Sequence, residues 1–178
     1  MKKIISFLIT TCFVQNLFCQ QVVINGSSKN RLLNWDDFTG KPDKNSLFEA
    51  NTYWEINYSF KGISFKNGDT AIINGFSVKL EFNESKSWVK KSSQTNYLLK
   101  HEQGHFDAGL LCQAEMIKQI NNSAFLKNDF QDKLKTIFST TMEKYHALGL
   151  KYDEETEHSK NKESQEKWNT FFAKALQQ

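Results

Sequence analysis

The chain has 178 residues, enough for one domain with its own core and too few for two of ordinary size. Hydrophobic residues make up 39% and charged residues 24%, with one proline, eight glycines and no internal repeat, which excludes disordered, collagen-like and repeat-built chains. A formal net charge of +3 is too small to point to nucleic acid or anionic lipid as a partner.

Residues 1–19 read as a secretory signal peptide: Lys2 and Lys3 lead, and a mostly apolar run follows from Ile4 to Phe18. The run is too short for a confident membrane span and no second one follows, so the mature chain is expected to have no span and to be secreted or periplasmic. Leu17 stands where a small residue is preferred before cleavage, and a buried N-terminal helix is the alternative reading. Cys19 as a lipid-bearing residue is disfavoured by the bulky Phe18 before it. Losing the leader removes Cys12 and Cys19 and leaves Cys112 alone, so residues 20–178 are expected to form one domain held by its core, without an internal disulfide.

Strand patterns come first. Trp54, Ile56, Tyr58 and Phe60 alternate with polar residues, as do Phe76, Val78, Leu80 and Phe82. Between them, Ile63–Phe65 and Ala71–Ile73 flank Asn67-Gly68, a hairpin signal. The simplest arrangement is an antiparallel meander with one face on a core. Helical spacing follows: Leu99, Phe106, Leu110 and Ile117, then Phe130, Leu134, Ile137, Tyr145 and Leu148, with Gly149 as a plausible C-terminal cap. Residues 152–167 are dense in charge, and Trp168, Phe171, Phe172 and Leu176 suggest a last short helix. Strands before helices predict an α+β fold.

The chemistry sits on His101-Glu102-Gln103-Gly104-His105. Histidines four residues apart on a helix lie on one face, one turn apart, and can share one zinc ion. Glu102 is turned about 100° from His101, placed to take a proton from a water that the ion acidifies. Leu98, His101, His105, Ala108 and Cys112 form a stripe, and Gly104 and Gly109 suggest close approach by another element. The pattern arises by chance in roughly one chain in two hundred of this size, and the plain alternative is a helix with two surface histidines and a solvated Glu102. Cys112, nearly two turns from His105, reads as core.

A catalytic zinc takes three protein ligands and keeps one position open. Leu111 stands where a histidine would complete the extended metzincin pattern, so the third ligand must come from elsewhere. Asp107 is on the wrong face and Glu115 about 15 Å along the helix. His146, His158 and the acids Asp153, Glu154, Glu155 and Glu157 stay open, with residues 152–159 reading on composition as a solvated loop.

Leu33-Asn34-Trp35-Asp36-Asp37-Phe38-Thr39-Gly40-Lys41-Pro42, His101-Glu102-Gln103-Gly104-His105-Phe106-Asp107 and Tyr152-Asp153-Glu154-Glu155-Thr156-Glu157-His158, with Gln165 and Trp168 after, resemble a bacterial family. Its members are of largely unknown function and are described as predicted secreted zinc-dependent proteases. The resemblance spans nearly the whole mature chain, departing where the family pattern has a glycine after the last histidine and this chain has Ser159. It implies a zincin-like site with His101 and His105 as ligands, Glu102 as general base and His158 as the third ligand, ahead of Asp153 or Glu155 and then His146. It also allows Asp107 to support a ligand histidine, while Trp35 and Phe38 read as structural.

The expectation is therefore a zincin-like α+β domain, an N-terminal antiparallel sheet packed on the motif helix, acting as a secreted zinc metallopeptidase on a peptide or protein substrate. The alternatives are a cell-envelope binding or assembly protein with a structural zinc site, and a zinc amidase acting on cell-wall peptides.

Overall fold

The computed structural model describes residues 19–24, 26–28 and 32–177, so the expected leader lies outside them apart from Cys19. In chain order the strands are β1 (Cys19–Ile24), β2 (Ser27–Ser28), β3 (Ala50–Asn51), β4 (Trp54–Ser59), β5 (Gly62–Lys66), β6 (Thr70–Asn74), β7 (Ser77–Phe82) and β8 (Trp88–Val89). Three helices follow: α1 (Asn96–Asn121), α2 (Phe130–Thr156) and α3 (Lys162–Ala175). The fold is α+β, as the order of patterns predicts.

The sheet is not the expected meander. Its order is β2-β1-β7-β4, with β4 antiparallel to β7 and β1 parallel to it, so it is mixed rather than antiparallel. Side-chain burial accounts for this. Ile56 pairs with Leu80 across β4 and β7, and both are buried with Val78 and Phe82, giving one continuous apolar face. In β1, Val22, Val23 and Ile24 are all buried, the unbroken apolar run of an interior strand, which a search for alternation passes over. The hairpin β5–β6 forms a separate pair, because Ser64, Phe65 and Lys66 are exposed and give β5 no core face. Its turn is the predicted one: Asn67 and Gly68 both have positive φ, at 52° and 84°.

Helix α1 begins at the Thr95 cap, whose side chain accepts from the Leu98 amide. It is tied to the sheet by Gln113, a fully buried amide whose Nε2 donates to the carbonyls of Gln21 (2.8 Å) and Val78 (2.9 Å). A Cβ at Gly109 would stand 3.0 Å from both Leu80 and Trp54, so the glycine there admits the sheet closely, as its sequence pattern suggested. Trp35, Phe38, Phe82 and Phe106 stack edge to face in sequence, with centroids 5.0 to 5.8 Å apart, so Trp35 and Phe38 are structural.

Helix α2 runs through Gly149 to Thr156 and ends at Glu157 in the left-handed region. Gly149 has no positive φ, and the predicted cap there is wrong because the buried stripe continues through Tyr152 and Thr156 while Lys151, Glu154 and Glu155 take the outer faces. Helix α3 lays Trp168 and Phe172 on Tyr152 and Ala108, a second small core joining all three helices. No described helix is long and apolar enough to cross a membrane.

Candidate metal centre

Helical spacing on α1 points His101 and His105 the same way, and α2 brings Asp153 to meet them. His101 Nε2 lies 3.2 Å and His105 Nε2 3.0 Å from the same Asp153 oxygen, Oδ1. One ligand atom from each of the three lies within 4.8 Å of the others, and among the described residues this is the group of His, Cys, Asp and Glu side chains that could hold a metal ion.

The hydrogen bonds behind His101 fix its ring. Tyr152, fully buried, donates its hydroxyl proton to the His101 carbonyl at 3.1 Å, so its oxygen accepts from Gln165 Nε2 at 2.6 Å. That turns Gln165 Oε1 towards His101 Nδ1, 2.9 Å away, and makes Nδ1 the N–H. His101 Nε2 then faces a carboxylate oxygen either as the N–H of an imidazolium or as a bare lone pair. A lone pair aimed at an anionic oxygen needs a cation between them. The donor set therefore fits a divalent metal: two imidazoles and a carboxylate converging, one imidazole oriented from behind.

Electrostatics agree. Burial pushes the Asp153 carboxyl up, but hydrogen bonds from His101 and His105 outweigh it and hold the group well below the usual carboxylate range. Burial pulls the His105 imidazole down, yet the hydrogen bond to Asp153 and the charges of Glu102 and Asp153 leave it raised above its ordinary value.

Glu102 is buried beside this group, with its Oε2 accepting from the Thr52 hydroxyl at 2.7 Å. Thr52 comes from the connection between β3 and β4, which α1 packs against. The group opens onto a cleft of about 600 Å³ between β4 and α2, lined by Trp54, Ile56, His105, His146, Gly149 and Asp153 among others. Glu49, Glu55, Glu102 and Asp153 line it too, and no lysine or arginine does among the described residues.

The other candidates are accounted for. His158 Nδ1 is 3.4 Å from Asp153 Oδ1, at the rim, outside the group of three and against the Phe48 ring at 4.4 Å. Glu157, His158 and Ser159 hold positive φ of 51°, 51° and 72°, so Ser159 adopts a left-handed conformation that favours glycine. His146 stacks on Trp54 at 5.7 Å and Glu155 accepts from the Trp168 indole at 2.8 Å. Asp107 accepts from Gln103 Nε2 at 2.7 Å rather than from a histidine, and Gln103 Oε1 accepts the Leu33 amide, so this pair anchors the N-terminal segment. Burial raises the Asp107 carboxyl against that hydrogen bond. Cys112 is buried core, its thiol pushed up to about 12 by desolvation.

Thr52 had no signal in the sequence, and Gln165 had one only as part of the family resemblance, which assigned it no role. Asp153 had one: it falls four residues after Gly149 and seven, two helical turns, after His146, so a helix continued past Gly149 sets it on the face of those two residues. No curated protein and no solved structure matches the chain. The family model described as "Bacterial protein of unknown function (DUF922)" matches residues 21–160, and the chain belongs to that family.

Proposed function

We propose that the chain is an exported zinc metallopeptidase, with His101, His105 and Asp153 holding the ion and Glu102 as general base. The observation that carries this reading is the convergence of the two Nε2 atoms on Asp153 Oδ1, beside a buried glutamate, in an open cleft. A zinc ion held by these two imidazoles and the carboxylate would supply Lewis acidity for the attack of water on a carbonyl. Glu102 takes the proton of the attacking water and returns it to the leaving amine, while Thr52 fixes its Oε2. The outer strand β4 lines the cleft and can accept an extended peptide on its free edge. The absence of basic lining favours a peptide over a nucleic acid.

One observation supports a second reading. His158 stands close enough to Asp153 to be drawn in as another donor, which would close the site and make the zinc structural, as in an envelope-assembly protein. Metal analysis and one substitution separate the two. Reconstituted protein should hold one zinc per chain, and Glu102→Gln should keep it while losing on the order of 100-fold to 10,000-fold in peptide hydrolysis. Full activity in that variant sinks the mechanism. Asp153→Ala should lose the ion and His158→Ala should keep it; the reverse would make His158 the third ligand.

A further inference from the structure

Three glycines lie inside the helices of the site, and two have packing reasons. A Cβ at Gly104 would stand 2.5 Å from the Tyr152 hydroxyl oxygen, and one at Gly109 would stand 3.0 Å from Leu80 and Trp54. Gly149 has none. It sits within a 27-residue helix without positive φ, where glycine costs about 1 kcal/mol against alanine, and the one atom within 4 Å of its Cβ position is His105 Nδ1 at 3.9 Å. The missing side chain leaves open space in the cleft.

What surrounds that space is apolar on one side and reactive on the other. Met142, His146, Gly149 and Asp153 follow one another at spacings of four, three and four along α2, all lining the cleft. Gly149 is thus one turn, about 6 Å, from Asp153. Beyond it the Trp54 and His146 rings lie nearly parallel, 17° apart, and Leu150 and Phe48 at the rim are 72% and 46% exposed. No lysine or arginine lines the cleft among the described residues, and Glu49 and Glu55 do, which disfavours an acidic side chain there.

We propose that the space over Gly149, between the His105 ring and the stacked Trp54 and His146, is the subsite for a large apolar side chain of an extended peptide, next to the bond attacked. It rests on the peptidase reading above. The occupant is an aromatic or branched aliphatic residue, because the walls offer ring faces and a thioether and the floor is bare backbone. Gly149 sets the depth of the subsite.

The test uses binding, in zinc-loaded Glu102→Gln so that nothing is cut. Two blocked pentapeptides serve as probes, acetyl-Ala-Ala-Phe-Ala-Ala-amide and the same peptide with alanine at the centre, titrated by calorimetry. The phenylalanine peptide should bind at least about ten-fold more tightly, the lower end of what extra buried carbons supply in a pocket. Adding Gly149→Leu should erase that difference while the helix content and zinc stoichiometry stay unchanged. Equal affinities in the parent, no binding of either peptide, or a preference that survives Gly149→Leu would each overturn the subsite. The peptidase reading is judged separately, on wild-type protein. If the phenylalanine preference depends on Gly149 but zinc-loaded wild type leaves the peptide intact, the subsite stands and that reading falls. Cleavage with no preference has the opposite meaning.

Discussion

Gln165 never touches the cleft, yet it decides which nitrogen of His101 is free. Its Oε1 accepts from Nδ1 at 2.9 Å, and its amide nitrogen is committed to the Tyr152 and Asn169 oxygens at 2.6 and 3.0 Å, so it cannot turn over without breaking both. Gln165→Leu removes an acceptor from a buried N–H and a donor from a buried phenol oxygen, which together amount to about 1–3 kcal/mol of stability. Metal affinity should fall by about 10–100-fold, the usual effect of losing a partner behind a ligand histidine. Competition titration against a zinc chelator checks this. Unchanged affinity in a folded Gln165→Leu would mean that the ring is held by α1 packing alone. Thr52 stands in a similar relation to Glu102, reaching a carboxylate from a connection fifty residues away in the chain.

At the scale of elements, the site is a place where α1, α2 and α3 come unusually close, and Gly104 is what allows it. A methyl group at that position would meet the Tyr152 ring, which is fully buried and pinned by Trp168 and Phe172 at centroid distances of 5.3 and 5.4 Å. Gly104→Ala should therefore destabilise the protein by about 1–2 kcal/mol, overpacking of about 1–3 kcal/mol offset in part by the helix preference of alanine. Gly149→Ala carries the same preference into open space and should stabilise by up to about 1 kcal/mol. Urea unfolding of the two variants gives the contrast directly, and equal shifts would show that helix propensity alone is at issue. These elements also show where the sequence was informative. The two histidines and Glu102 were legible because one helix turn is a local relation, and the strands β4 and β7 because alternation is local too. The parallel pairing of β1 was not, since an unbroken apolar run carries no period. His158 stands ahead of Asp153 only through the family resemblance, whereas with α2 continued past Gly149, Asp153 falls one turn beyond that glycine on the face that looks at His105. His158 lies past the true helix end, in a left-handed turn that sets it at the rim.

For the whole molecule, the centre joins α1 to α2, with α3 bracing it from behind, so whatever cation occupies it contributes to the stability of the fold. Without metal that cation is a proton, and the pH dependence follows from two shifts. Asp153 is held below its ordinary value, so its contribution is present above the unfolded carboxylate pKa of about 3.9 and is lost as pH falls through the depressed folded value. His105 is raised, so its contribution is full below about 6.5 and is lost as pH climbs through the raised folded value. The metal-free protein should then be most stable between about pH 4 and 6.5. Zinc competes with that proton, so its binding strengthens as pH rises, and bound zinc stabilises by mass action, about 2.7 kcal/mol at a hundred times Kd. For a chain of this size that is a rise in Tm of roughly 5–10 °C. Thermal unfolding with excess zinc and with chelator, compared at pH 5.5, 6.5, 7.5 and 8.5, should show a gap that widens with pH. Asp153→Ala should close the gap at every pH, because it removes both the third ligand and the anion that raises His105. A gap of constant width, or one that survives in Asp153→Ala, would mean that the ion is held somewhere other than between α1 and α2.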